Sequence, residues 1–103
     1  MSTGNQPDRS VLEREKTSIK RPDLYNVVLH NDDYTTMDFV VDILESVFLK
    51  HPAEAHRIMM LVHTQGRGLC GVYPHEIAET KVDAVQTLAR QQGFPLQATL
   101  EPE

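Results

Sequence analysis

Cysteine is nearly missing from this 103-residue chain: there is one, Cys70, so no internal disulfide can staple it and a small secreted scaffold is excluded. Basic residues are too few as well. Ten Lys and Arg stand against fifteen Asp and Glu, a net charge of −5, and a general nucleic-acid binder would instead carry a basic face. No apolar run approaches the roughly 18 residues of a membrane span, and Met1 to Ser10 holds no apolar stretch suited to a signal peptide. Nor is there a phosphate-cradling loop, because Gly66-Arg67-Gly68 leads into a strand-like segment rather than a helix. What remains is a small acidic domain, expected in the cytoplasm, with neither nucleic acid nor membrane as partner. At 40% apolar residues it can build one modest core.

Charge is unevenly spread. Residues 1–22 hold Arg9, Arg14, Lys16, Lys20 and Arg21 against Asp8, Glu13 and Glu15, a net +2 that leaves −7 for the rest. Beyond Met1, their only aliphatic side chains are Val11, Leu12 and Ile19, too few to offset the entropy of ordering. A flexible arm over 1–22 and one folded domain over 23–103 are expected.

Within that domain, Leu24 to His30 is rich in strand formers and stops at the turn-prone Asn31-Asp32-Asp33. Thr35-Thr36-Met37-Asp38 has the form of a capping box, and Met37, Val40, Val41, Leu44 and Phe48 follow at helical spacing, predicting a helix to about Leu49. Pro52 opens a second helix with Ala55, Ile58, Met59 and Val62 on one side, and Gly66 stops it. Arg67 to Tyr73 reads as a strand, Pro74 to Gly93 as a third helix, and Pro95 to Leu100 as a closing strand. The order β-α-α-β-α-β predicts an α+β sandwich, a small three-stranded antiparallel sheet covered by three helices.

The chemistry these residues offer is narrow. His30, His51, His56, His63 and His75 contain no His-x-x-x-His pair, so no metal site and no cofactor is expected. Asp32 and His63 can supply an acid and a base for a small hydrolase, yet no activated nucleophile stands beside them, and Cys70 reads as a buried inert thiol. Asn31 and Asp32 end the first strand, Thr35 begins the first helix, and Met37 with Val40 lie on one side of it. Met59, Val62 and His63 share a face of the second helix. If those faces converge, a greasy hollow forms beneath a rim of an amide oxygen, a carboxylate and an imidazole nitrogen. The residues alone leave a second reading open: Asn-Asp-Asp as a plain turn, and Met and Val as plain core.

The stretch Asn31-Asp32-Asp33-Tyr34-Thr35-Thr36-Met37-Asp38-Phe39-Val40 strongly resembles the signature of the ClpS family, adaptors that hand N-degron substrates to the ClpAP protease. The likeness continues, in the same order, through Val62-His63-Thr64-Gln65-Gly66, Cys70-Gly71-Val72, Glu76 with Glu79-Thr80-Lys81, and Pro95-Leu96, covering roughly residues 22 to 100. Thr36 departs from the family's usual proline and Thr64 from a frequent aromatic. The resemblance implies a non-enzymatic, monomeric adaptor with a ClpS-like sandwich fold. Asn31, Asp32 and His63 would hold the α-amino group of a substrate beginning with Leu, Phe, Tyr or Trp. Thr35, Met37, Val40, Met59, Val62 and Leu96 would line the side-chain pocket, with Met37 as a gate against β-branched first residues. Glu76 and Lys81 would contact the N-terminal domain of the ClpA unfoldase, which the arm would enter during transfer. Besides the hydrolase, a ClpS-fold interaction domain without N-degron binding remains as an alternative.

Overall fold

The computed structural model describes residues 23–103, so the expected arm over 1–22 lies outside the described residues. Six elements follow in the expected order: β1 (Leu24–His30), α1 (Met37–Ser46), α2 (Pro52–Gln65), β2 (Arg67–Pro74), α3 (His75–Gln92) and β3 (Gln97–Pro102). The strands form one antiparallel sheet in the order β2-β1-β3. β1 therefore sits at the centre, which its run of strand formers suits. Val27 faces Gly71 and Val28 faces Leu69, so β2 carries one extra residue, Cys70, as a bulge.

Val27 and Leu29 point into the core with Ala98 of β3, and all three helices deliver side chains to it: Val40, Ile43 and Leu44; Ile58, Met59 and Val62; Ala78, Val85 and Ala89. Val28 faces the other way and is not part of that cluster, yet it is only 3% exposed. Arg67 and Glu101, on the two edge strands, meet at 2.7 Å across β1, and His30 bonds Thr99 at 2.7 Å, which shields this outer face.

Boundaries differ from expectation at several ends, β3 for one running to Pro102 rather than Leu100, and three of the differences have a local reason. The cap of α1 is Thr36, not Thr35: Thr36 Oγ1 accepts from the Phe39 N–H at 3.2 Å, while Thr35 turns to Asp32. A hydroxyl at 36 thus satisfies a helix-end donor. The same helix stops at Ser46 rather than Leu49, because Leu49 adopts φ 56 and the Lys50 N–H closes the end on the Leu44 carbonyl at 3.0 Å. Lys81 adds its ammonium to the Val47 carbonyl at 2.7 Å. Finally, β3 begins at Gln97 instead of Pro95, since proline brings no N–H to the ladder.

Candidate functional site

Two clasps hold the first helix pair against the end of the sheet. Gly66 closes α2 in the left-handed region at φ 90, and its carbonyl receives the Asn31 N–H at 2.9 Å. That bond ties the loop leaving β1 to the last turn of α2, where His63 sits. Beneath it, Gly68 packs so closely that an added Cβ would lie 2.8 Å from Val62 Cγ2. Strand, loop and helix end are thereby brought to one place.

Asp32 organises the loop itself. Its Oδ1 accepts from the backbone N–H groups of Tyr34 (2.8 Å) and Thr35 (2.7 Å), and its Oδ2 accepts from the Thr35 hydroxyl at 2.7 Å. Partial burial works to raise the pKa of this carboxyl, but the Thr35 hydroxyl and the two backbone donors outweigh it and hold the group below its ordinary range. It is therefore a fixed anion at neutral pH. A carboxylate has about four acceptor positions, and three are taken, so Oδ2 keeps one free.

A hollow of about 240 Å³ opens here, bordered by Asn31, Asp32, Asp33, Thr35, Met37, Val40, Met59, Val62 and His63. Val40, Met59 and Val62 are almost wholly buried, at 6%, 4% and 2% exposure, and make an apolar floor. Asn31 and His63 are exposed and Asp32 half-buried, so the polar groups stand at the rim. Met37 is 44% exposed, a long flexible side chain at the mouth. The volume falls below the roughly 300–1,000 Å³ of sites for drug-sized ligands, which suits one amino-acid residue.

Eight of the nine residues expected around this site do border it. Leu96 does not. It is 3% exposed, belongs to the core cluster, and borders a separate depression with Gln86, Arg90 and Phe94, because it lies just outside β3 where the chain drops from α3 toward the sheet. Asp33 joins the lining unforeseen, and its place beside Asp32 in the turn was the available signal.

The two residues expected on the outer surface behave differently. Glu76 is exposed in the first turn of α3. Lys81 is half-buried, with its ammonium on the Val47 carbonyl and 5.6 Å from the Tyr73 ring centre, so its charge is engaged inside the domain. Cys70 is fully buried, and burial pushes its thiol up to about 12 despite a backbone hydrogen bond, leaving it un-ionised at neutral pH.

The geometry presents a small α+β domain with a residue-sized hollow, rimmed by polar side chains and floored with apolar ones. The comparisons with known proteins give the family. Residues 20–99 match the family model described as ATP-dependent Clp protease adaptor protein ClpS. An ATP-dependent Clp protease adapter protein ClpS from Desulforapulum autotrophicum is 52% identical over 96% of this chain and 97% of its own length. Relatives of the same description from Nitratidesulfovibrio vulgaris (98% of each chain) and Burkholderia mallei (94% of this chain, 93% of its own) are each 50% identical. Among solved structures, Agrobacterium tumefaciens ClpS2 bound to L-phenylalaninamide is 43% identical and superposes with a TM-score of 0.78, covering 81% of this chain and all of its own. The chain belongs to the ClpS family of Clp protease adaptors. Its fold is the expected ClpS-like sandwich, and its role is that of an adaptor, not an enzyme. The hydrolase alternative falls with that assignment, in keeping with an Asp32 whose hydrogen bonds run to Tyr34 and Thr35.

Proposed function

We propose that this adaptor captures substrates by their first residue and delivers them to a ClpA-type AAA+ unfoldase. The observation that carries the reading is the convergence of Asn31, Asp32 and His63 on the rim of a hollow floored by Val40, Met59 and Val62. A free α-amino group titrates near pH 8, so at neutral pH it presents a positive charge and three N–H donors. An amide oxygen, a carboxylate oxygen and an imidazole nitrogen satisfy those donors with charge-assisted bonds. The floor then takes the side chain. Burying a large apolar side chain such as Leu or Phe contributes about 1.5–3 kcal/mol, which Ala or Gly cannot match, so size and donor count together select a bulky hydrophobic first residue: Leu, Phe, Tyr or Trp. The amino-acid amide bound to the Agrobacterium relative, a free amine carrying a benzyl side chain, fits this chemistry.

Delivery uses the opposite end of the sheet. Glu76, exposed at the start of α3, contacts the N-terminal domain of the unfoldase, while Lys81 shapes that face by tying α1 to α3. The arm over 1–22 enters the unfoldase during transfer. No helix among the described residues is long and apolar enough to cross a membrane, and we place the adaptor in the cytoplasm as a monomer.

The test is a titration with fluorescent peptides that differ only in residue one, each with a free or an acetylated amine. Binding of Leu-, Phe-, Tyr- or Trp-first peptides that is lost on acetylation is the expected result. Acetylation strips the charge and leaves acceptors unsatisfied at about 1–3 kcal/mol for each buried group. Equal binding of the acetylated peptides would exclude the amine-reading rim, and peptide turnover would exclude an adaptor.

A further inference from the structure

A second, larger depression of about 430 Å³ lies on the other side of α1, bounded by Thr36, Asp38, Phe39, Asp42, Ile43 and Ser46 and, from α3 and the turn after it, by Leu88, Gln92 and Phe94. Its floor is apolar: Ile43 is buried, Phe39 and Phe94 pack ring against ring at 5.0 Å, and Leu88 is 36% exposed. One wall is acidic. Asp38 and Asp42 stand four residues apart on one helix face, where like charges repel, and no basic residue borders the groove. Among the described residues neither carboxylate enters an ion pair. Asp38 is favoured by its place in the first turn of α1, but its repulsion with Asp42 is left uncompensated by any such ion pair, and a cation from outside would relieve it.

The groove adjoins the first-residue hollow. Thr35 and Met37 border the one, Thr36 and Asp38 the other, so the first turn of α1 is their common wall. A substrate chain held by its first residue and leaving past the exposed Met37 would cross that wall. A helix with its side chains is about 10 Å across, and an extended chain covers about 3.3 Å per residue, so three to four residues carry the chain over the turn into the groove.

We propose that this groove receives the residues downstream of the captured first residue and prefers Lys or Arg at about the fourth position. The inference rests on the first-residue reading above and names a further element of substrate choice. The aliphatic stem of such a side chain lies along Leu88 and Phe94 while its cationic head meets Asp38 and Asp42. The folded domain is acidic in net charge, but the groove combines two carboxylates and no bordering base with an apolar floor, which makes the preference local.

The experiment compares Leu-first peptides with Lys, Ala or Glu at position four, titrated at low salt against the full-length protein, an Asp38→Asn/Asp42→Asn variant, and a Glu79→Gln/Asp83→Asn variant that removes the same charge from the first half of α3. Thermal unfolding confirms that each variant is folded. The Lys peptide should bind about threefold to tenfold more tightly than the Glu peptide, within the range of exposed charge pairs. That ratio should collapse toward one in Asp38→Asn/Asp42→Asn and persist in Glu79→Gln/Asp83→Asn, while the Ala peptide binds all three proteins alike. Equal affinities for Lys and Glu peptides in the unaltered protein would overturn the proposal. So would a ratio that falls as much in the α3 variant, since overall charge would then account for it. Failure of every Leu-first peptide to bind would instead overturn the first-residue reading on which the groove depends.

Discussion

Replacing Asp32 by Asn separates what its carboxylate does for the loop from what it does for a ligand. The substituted amide keeps an oxygen in place of Oδ1, so the bonds from the Tyr34 and Thr35 N–H groups survive. An NH₂ group replaces Oδ2, and the Thr35 hydroxyl must then accept where it had donated. The structural loss is therefore about 1 kcal/mol, a fall in Tm of about 4–8 °C for a domain of this size. The binding loss is larger, because an anion with a free acceptor position becomes a neutral donor facing an ammonium group. Hydrogen bonds to charged groups contribute about 1.5–3 kcal/mol, so affinity for a free-amine Leu peptide should fall about tenfold to hundredfold. Fluorescence anisotropy and a melting curve on the same preparation read both numbers. Asp32→Asn protein that stays folded and binds the peptide within twofold of the unaltered protein would refute the reasoning. Acidification gives a second check. Because hydrogen bonds hold the Asp32 carboxyl below its ordinary value of about 4, its contribution is full above that value and is lost only as pH falls further, through the depressed value. Asp32 itself should therefore add no pH dependence to binding between about pH 7.5 and 5.5, and the Asp32→Asn variant should show the same proportional change over that range as the unaltered protein.

Leu49 sits at φ 56 with 78% of its surface exposed, so Leu49→Gly relieves a left-handed backbone and gives up little packing; a gain of about 0.5–1 kcal/mol in urea unfolding is expected, and a loss would contradict it. Gly68→Ala forces a methyl against Val62 and Ile58, which should lower stability by about 1–3 kcal/mol and weaken peptide binding by displacing the helix that carries Met59 and His63. Cys70 should resist iodoacetamide in the native protein at pH 8 and react fully in urea. Because its thiol pKa is raised to about 12 by burial, its contribution to stability is whole below the ordinary thiol value of about 8.5 and declines as pH rises above it, which unfolding curves at pH 8 and 10 can measure.

Periodicity sufficed for the elements. Met37, Val40 and Leu44, or Ile58, Met59 and Val62, repeat at helical spacing because one side of each helix is buried, and those same residues are the ones in the core or the hollow. Strand β1 was equally plain, since a central strand is rich in residues that pack on both faces. Ends were harder, as they depend on single hydrogen bonds. Thr35 and Thr36 are equivalent as letters, and only the pull of Asp32 on Thr35 decides which of them caps α1. Leu49 gave no sign that it would take a conformation usually left to glycine. Leu96 shows the limit for the site: the resemblance implied it in the pocket, but it is distant from the hollow residues in the chain and borders a separate depression. Lys81 reads as a surface charge until the Val47 carbonyl, 34 residues away, is seen to claim it.

The rim owes its rigidity to backbone rather than to side-chain packing. Asn31 is pinned through its own N–H to Gly66, Asp32 through three donors within its own loop, and His63 rides on the last turn of a helix that Gly68 draws against the sheet. The Asp32 carboxylate, held by three donors, would lose little freedom if an ammonium group arrived, so its share of a charge-assisted attraction would appear largely as affinity. The mouth is the reverse. Met37 is unbranched and half in solvent, free to adapt to rings and to a leucine side chain alike. On the proposed reading, a firmly held carboxylate at the rim and a yielding mouth divide the work: the rim would select a charged chain start, and the mouth would accept several large side chains. Strictness about the amine with latitude about the side chain would follow from that division, and the titration with free and acetylated peptides tests both.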